Sequence, residues 1–132
     1  MLQWIVMKKI THRWRILFLL VLTACAGAST PATTVENYFR ALVGKDSQKV
    51  IGLSCAAWES SARIDADTFS MYPATLEAMA CRDAGTQGDV HLVQCTGKAI
   101  LDYNGEKQAV DLSARVYKVI REGGDWRMCG YQ

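Results

Sequence analysis

The chain has 132 residues, enough for one domain of modest size. Its formal net charge is +2, and four of its basic residues precede Cys25. All thirteen Asp and Glu residues follow Cys25. The 108 residues from Cys25 onward carry eleven basic and thirteen acidic side chains, a net charge of −2. This balance argues against a basic nucleic-acid-binding surface.

The first 24 residues have the pattern of an export signal. Residues 1–15 are basic, residues 16–22 are apolar, and two small residues follow. The apolar stretch is about nine residues long, whereas a helix that spans a membrane needs about 20. We therefore predict a cleaved signal peptide over residues 1–24.

The end of this segment, Leu22-Thr-Ala-Cys25, resembles the lipobox of bacterial lipoproteins. The resemblance implies a diacylglyceryl thioether on Cys25, cleavage before it, and attachment to a membrane of the cell envelope outside the cytoplasm. An unpaired fifth cysteine in an exported chain agrees with this interpretation. The alternative is ordinary cleavage beside Ala26 or Ala28, which would release a soluble secreted protein.

Two helices are predicted after a flexible tether over residues 25–32, at the start of a domain over residues 33–132. Thr33-x-x-Glu36 matches a capping box, and Gly44 is a suitable helix stop. Asp46 or Ser47 then caps a second helix that ends near Trp58, and residues 59–73 are expected to be irregular. The apolar stripe of the first helix has helical spacing and consists of Val35, Tyr38, Phe39, Leu42 and Val43.

From Thr75 onward the apolar residues alternate, which predicts strands. A first strand over residues 76–82 precedes a long second strand whose apolar side includes His91, Val93, Cys95, Ala99, Leu101 and Tyr103. Asn104-Gly105 is a hairpin turn that would pair Tyr103 with Glu106, Ala99 with Val110, Cys95 with Ala114, Val93 with Val116 and His91 with Lys118. Gly123-Gly124 makes the last turn. The fold class is therefore α+β, with N-terminal helices packed on a curved four-stranded antiparallel meander.

The four remaining cysteines predict two disulfides. Zinc is the competing interpretation, but the closest pair is fourteen residues apart, unlike the short spacing of zinc ligands. In the predicted sheet, Cys129 lies on the fourth strand, about 10 Å or more from Cys81 and Cys95. The expected pairs are therefore Cys81–Cys95 and Cys55–Cys129.

Helices followed by long hairpins resemble the nuclear transport factor 2-like (cystatin-related) cone fold. The segment from Val35 to Leu42 is similar to that superfamily's first helix, and the segment from Gly124 to Cys129 is similar to its last strand. The resemblance implies a curved sheet that surrounds an interior. Some members of the superfamily are enzymes and others are binding modules, so the fold alone does not identify the function.

His91, which lies after the leader, is the candidate catalytic residue, with Lys118 across from it at a possible pocket. We expect instead that His91 is an ordinary histidine near a strand end, and that Asp65 and Asp67 are solvated or capping. Five aromatic residues could line a ligand cavity, but we expect them to pack in the core or at its rim: Trp58, Tyr103, Tyr117, Trp126 and Tyr131. The hypothesis is a non-catalytic lipoprotein module without a cofactor or metal, which meets a small ligand or another envelope protein. The rivals are a small isomerase or hydratase that uses His91, and a structural spacer at the membrane.

Overall fold

The computed structural model describes residues 28–132, in which three α-helices precede five β-strands. The predicted leader and Cys25 lie outside the described residues. The helices pack on an antiparallel sheet, which confirms the predicted α+β class. The elements are α1 (Pro31–Val43), α2 (Ser47–Gly52), α3 (Glu59–Met71), β1 (Ala74–Gln87), β2 (Val90–Tyr103), β3 (Glu106–Asp111), β4 (Val116–Glu122) and β5 (Asp125–Tyr131).

The N-cap of helix α1 is Thr30, three residues before the predicted cap Thr33. The Thr30 side chain accepts a hydrogen bond from the backbone N–H of Thr33, and the Thr33 hydroxyl accepts one from the backbone N–H of Thr30. Pro31 occupies the first turn, where its missing N–H has no cost. Residues 31 and 32 therefore belong to the helix rather than to the tether. The predicted stop at Gly44 is confirmed, because Gly44 is the C-cap.

The chain between residues 46 and 73 differs from the prediction in two ways. Asp46 caps α2 as expected, but this helix ends at Gly52 and a 3₁₀ turn follows at Ala56–Trp58. The expectation of an irregular segment at 59–73 is wrong, since α3 occupies most of it. Three residues of α3 at helical spacing are buried, namely Ala62, Ala66 and Phe69. Their contact with the core, rather than intrinsic helix propensity, stabilises this helix.

The sheet has the order β1-β2-β4-β5, and β3 pairs with β2. Strand β3 pairs with residues 98–103 of β2, whereas β4 pairs with residues 91–94 of the same strand. The two strands therefore follow each other along β2. The prediction of one continuous third strand is wrong, because a 3₁₀ turn at Leu112–Ala114 separates them.

This interruption changes the register of the hairpin. The predicted pairs Tyr103–Glu106 and Ala99–Val110 are present. Beyond the turn, Val93 pairs with Tyr117 instead of Val116, and Ala114 lies in the 3₁₀ turn rather than opposite Cys95. A shift of one residue exchanges the two faces of a strand. As a result, Tyr117 and Val119 are the residues of β4 that enter the core.

A bulge bends the β1–β2 hairpin at Gly97. Between the paired residues Glu77–Lys98 and Ala80–Thr96, two residues of β1 oppose the single residue Gly97. Gly97 has φ +93°, and a Cβ there would lie 2.5 Å from the carbonyl oxygen of Ala78. Only glycine fits this close approach, which curves the sheet around the helices.

One disulfide lies within the sheet and a second joins the sheet to the segment after α2. Cys81 pairs with Cys95 across β1 and β2, with Cα atoms 4.0 Å apart. Cys55 pairs with Cys129, with a Cα separation of 5.3 Å, and joins the segment after α2 to β5. Both pairs are those expected from the predicted strand order. The same two regions also share backbone hydrogen bonds between Met128 and residues 53 and 55.

Candidate functional site

The structure does not bring His91 and Lys118 together. His91 pairs with Val119, and Lys118 pairs with Leu92. Since side chains alternate along a strand, His91 faces the side of Val93, and Lys118 faces the opposite side from Val119. The prediction that they face each other is therefore wrong, because it assumed an unbroken strand through residues 112–114.

The ring of His91 contacts Trp126 rather than a carboxylate. The ring centroids are 4.5 Å apart in an edge arrangement. The two-residue turn at Gly123-Gly124 pairs Glu122 with Asp125, and Trp126 lies on the same side of β5 as the buried Met128. Trp126 therefore packs against the core from the helix side of the sheet.

The principal polar group of the interior lies between α1 and α3. The Tyr38 hydroxyl donates a 2.7 Å hydrogen bond to the Asp65 carboxylate. Tyr38 is 1% exposed and belongs to the core, so Asp65 sits beside apolar packing rather than in solvent. The expectation that Asp65 is a solvated or capping residue is wrong, because α3 directs it toward α1.

Burial changes the acidity of both partners. Desolvation raises the pKa of Asp65 above its ordinary value of 3.8, although the Tyr38 hydrogen bond and the positive charge of Arg115 oppose this rise. Burial, followed by the nearby charge of Asp65, also raises the pKa of the Tyr38 phenol. Tyr38 therefore remains a hydrogen-bond donor at neutral pH.

Trp58 supplies a second polar group to this region. Its Nε1–H is buried and makes no hydrogen bond of good geometry within residues 28–132, although it lies close enough to the Tyr38 hydroxyl to oppose the rise in the pKa of that phenol. The indole packs edge-on against Tyr131, with ring centroids 5.4 Å apart. Gly130 permits this position, since a Cβ there would lie 3.2 Å from the indole ring. A buried N–H without a partner is a site where an enclosed water or ligand atom would be stabilised.

Arg115 covers the outer side of the group. Its guanidinium lies over the Tyr131 ring, 3.9 Å from the centroid, in a cation–π arrangement. Beneath it, the Tyr117 hydroxyl donates a 2.9 Å hydrogen bond to the carbonyl of Leu112, and burial raises the pKa of Tyr117 to about 12. Arg115 thus places a positive charge at the rim, close enough to Asp65 to lower its pKa.

The space between these side chains is small. A cavity of about 60 Å³ lies against Tyr38, Asp65, Phe69 and Arg115, and core side chains fill the rest of the interior. Pockets that take small molecules have volumes of about 300 Å³ or more, whereas one water occupies about 30 Å³. In this structure the interior is therefore large enough for water rather than for a metabolite.

Residues 28–132 contain no group of three or more His, Cys, Asp or Glu side chains that could hold a metal ion. Within the same range, no helix is long and apolar enough to cross a membrane.

No protein-family model and no curated protein sequence matches the chain. Among solved structures, the helical cell shape determining protein Pgp2 from Campylobacter jejuni aligns with 75% of this chain, at 9% identity and a TM-score of 0.49. This chain covers only 38% of that protein. A protein whose name begins Rd1NTF2_05 aligns with 76% of this chain and is covered over 94% of its own length, at 13% identity and a TM-score of 0.48. Both TM-scores are below 0.5, so the fold class rests on the helices and strands described above.

Proposed function

We propose that this protein is a bacterial lipoprotein that is exported, anchored to a membrane through Cys25, and used as a non-catalytic interaction module. The module is a nuclear transport factor 2-like domain whose partner is another protein of the cell envelope. The small interior is the observation that favours an interaction module over a small-molecule receptor or enzyme, because the cavity of about 60 Å³ does not admit a typical substrate. The larger spaces, of about 330 to 430 Å³, are open surface grooves.

The cysteines support a location outside the cytoplasm. Four of the five form disulfides, which persist in oxidising compartments and are rare in cytosolic proteins. Cys25 remains, at the position where its lipobox resemblance implies lipid attachment. A free thiol would be reactive in such a compartment, so modification of Cys25 gives the odd cysteine a role.

The topology supports the proposed superfamily. Three N-terminal helices cover one face of an antiparallel sheet, and the bulge at Gly97 curves that sheet toward them. The Tyr38–Asp65 pair links two of these helices, α1 and α3. In our proposal the pair is structural, since a hydrogen bond links α1 to α3 and leaves no room for a substrate beside it.

The rival enzyme would use His91 as an acid or base. A catalytic histidine needs an orienting partner and a substrate cavity. His91 lines an open groove of about 430 Å³, but its side chain makes no hydrogen bond with an orienting partner in the described part of the chain, and its ring contacts Trp126. We therefore favour the binding module over an isomerase or hydratase.

Fractionation of cells that produce the full chain tests the anchor. We expect the protein in the membrane fraction and the Cys25→Ala variant in the soluble extracytoplasmic fraction, with both disulfides intact in each. Cys25→Ser is the matched control for side-chain size, because serine also lacks the thiol that accepts lipid. Membrane association that survives both substitutions would contradict the anchor.

Native mass spectrometry tests the module. Protein extracted gently from membranes should give the mass of the lipidated chain without a retained small molecule. A metabolite held in the interior, and lost when Phe69→Trp fills the cavity, would contradict the proposal and support a receptor or an enzyme.

A further inference from the structure

The N-terminal segment leaves the domain beside Trp126. Ser29 and Trp126 line one groove of about 330 Å³, together with Arg127. Trp126 also lines a second groove of about 430 Å³, which it shares with His91 and Arg121. One tryptophan therefore lies between the start of the described chain and the turn that joins β1 to β2.

We call Trp126, His91 and Arg121 the aromatic–cationic cluster. The Arg121 guanidinium lies 4.9 Å from the centroid of the Trp126 ring, and the His91 ring lies 4.5 Å from it. Trp126 is half-buried, whereas Arg121 is exposed. A half-buried indole with a cation on its rim has the chemistry of membrane-interface residues, where the ring meets acyl chains and the charge meets phosphate.

Arg121 has a charge that the neighbouring residues do not neutralise. At this end of the domain Arg127 pairs with Asp125 at 3.5 Å, and the carboxylate of Glu122 accepts hydrogen bonds from the backbone N–H of residue 56. Asp89 shares the groove with Arg121. Within residues 28–132, however, Arg121 forms no ion pair, and its contact is the Trp126 ring.

The length of chain before α1 limits how far this cluster can be from a membrane. Four residues lie between Cys25 and the helix cap Thr30, and a fully extended chain across these five residue-to-residue steps spans about 18 Å. Strand β2 alone has fourteen residues, which correspond to about 46 Å if straight. A lipid on Cys25 therefore holds the α1 start close to the bilayer, while the turn at Asn104 lies at the far end of β2.

We propose that the aromatic–cationic cluster lies against the phospholipid headgroups of the membrane that holds Cys25, with Arg121 binding lipid phosphate. This inference rests on the proposed lipid anchor. It adds an orientation: the β1–β2 turn and Trp126 face the bilayer, and the Asn104 turn faces away. The far end of the sheet is then the part presented to an envelope partner.

Tryptophan fluorescence in vesicles of phosphatidylcholine with brominated acyl chains tests the orientation. From Cys25 onward the chain has two tryptophans, Trp58 and Trp126. In the lipidated Trp58→Phe variant, the remaining emission should be quenched relative to vesicles without bromine. In Trp126→Phe, the emission of Trp58 should be unaffected, because its indole packs against Tyr131, outside the aromatic–cationic cluster. Circular dichroism checks that both variants remain folded.

A charge reversal tests the role of Arg121. In the Trp58→Phe background, and in vesicles that also contain anionic phosphatidylglycerol, Arg121→Glu should reduce the membrane-contacting population about fivefold, because one basic side chain near an anionic lipid surface contributes that much. Lys107→Glu is the matched control, since Lys107 lies on β3 beside the far turn and should not change the quenching.

The possible failures can be distinguished. Protein that carries lipid on Cys25 but shows no quenching of Trp126 would overturn the proposed orientation and leave the anchor intact. Equal effects of Arg121→Glu and Lys107→Glu would overturn the role of Arg121. Absence of lipid from Cys25 would overturn both the anchor and the inference that rests on it.

Discussion

Removal of the Cys55–Cys129 disulfide should destabilise the domain more than removal of Cys81–Cys95. The first closes a loop with a sequence separation of 74, and the second a loop with a separation of 14. Chain entropy alone then gives losses of about 4.4 and about 3.0 kcal/mol in the free energy of unfolding. Each pair has one buried and one half-buried cysteine, so the loss of packing is similar in both.

Urea unfolding without reductant measures this difference. The double variants Cys55→Ala/Cys129→Ala and Cys81→Ala/Cys95→Ala are compared with the intact protein, and each serves as the control for the other. We expect the former to have the lower midpoint, with a difference of about 1.4 kcal/mol at equal slopes. Equal stabilities, or the reverse order, would refute the reasoning from loop length.

Three further predictions follow from single contacts. Gly97→Ala should lower the free energy of unfolding by about 3 kcal/mol or more, because the new Cβ would lie 2.5 Å from backbone carbonyl oxygens. Gly105→Ala is the control, since Gly105 has φ +96° but open space around it, and should lower that free energy by about 1 kcal/mol. Equal urea midpoints for the two variants would contradict the bulge. Tyr38→Phe should cost about 1–2 kcal/mol in the same assay, since it removes the 2.7 Å hydrogen bond to Asp65, and an unchanged midpoint would show that the bond contributes nothing. Asp65 has a raised pKa in the folded state, so that state binds the proton more tightly than the unfolded chain, and the charged carboxylate costs stability at neutral pH. As the pH falls from neutral toward 3.8, the intact protein should therefore gain stability relative to Asp65→Asn, and a shift in the opposite direction would contradict the burial of this carboxyl group.

The features that could be predicted from the sequence are those with strong local patterns. The stripe containing Val35, Tyr38 and Leu42 has helical spacing, and all three residues are buried. Asn104-Gly105 determines the first part of the β2–β3 hairpin, because this dipeptide favours a two-residue turn. The cysteine pairs were predicted from the distances between strands. The division of the third predicted strand into β3 and β4 leaves the order of the strands that carry these cysteines unchanged.

Helix α3 was missed because its local signals are weak. Two of its three buried residues are alanines, and the segment from Glu59 contains serine, aspartate and threonine, which favour turns and caps over helix interiors. Its packing against α1 overrides these preferences. The Tyr38–Asp65 pair was missed for the same reason, since only a helix at this position brings Asp65 to Tyr38.

The register error has an identifiable cause. The Asp111 carboxylate accepts hydrogen bonds from the backbone N–H and the hydroxyl of Ser113, which stabilises a turn in place of a strand. Leu112 remains fully buried, so the hydrophobic alternation continues into the turn and conceals it. The Asp-x-Ser spacing is the signal that sequence reasoning overlooked. Without the turn, the predicted register placed Lys118 opposite His91.

The intact mass of protein extracted from membranes tests the central claim most directly. If the chain is a disulfide-stabilised module anchored by lipid, the spectrum should show a chain that begins at Cys25 and carries a diacylglyceryl group. On reduction, the mass should increase by four hydrogen atoms, two for each disulfide. An unmodified N-terminus with the leader still attached, or no change of mass on reduction, would contradict the account.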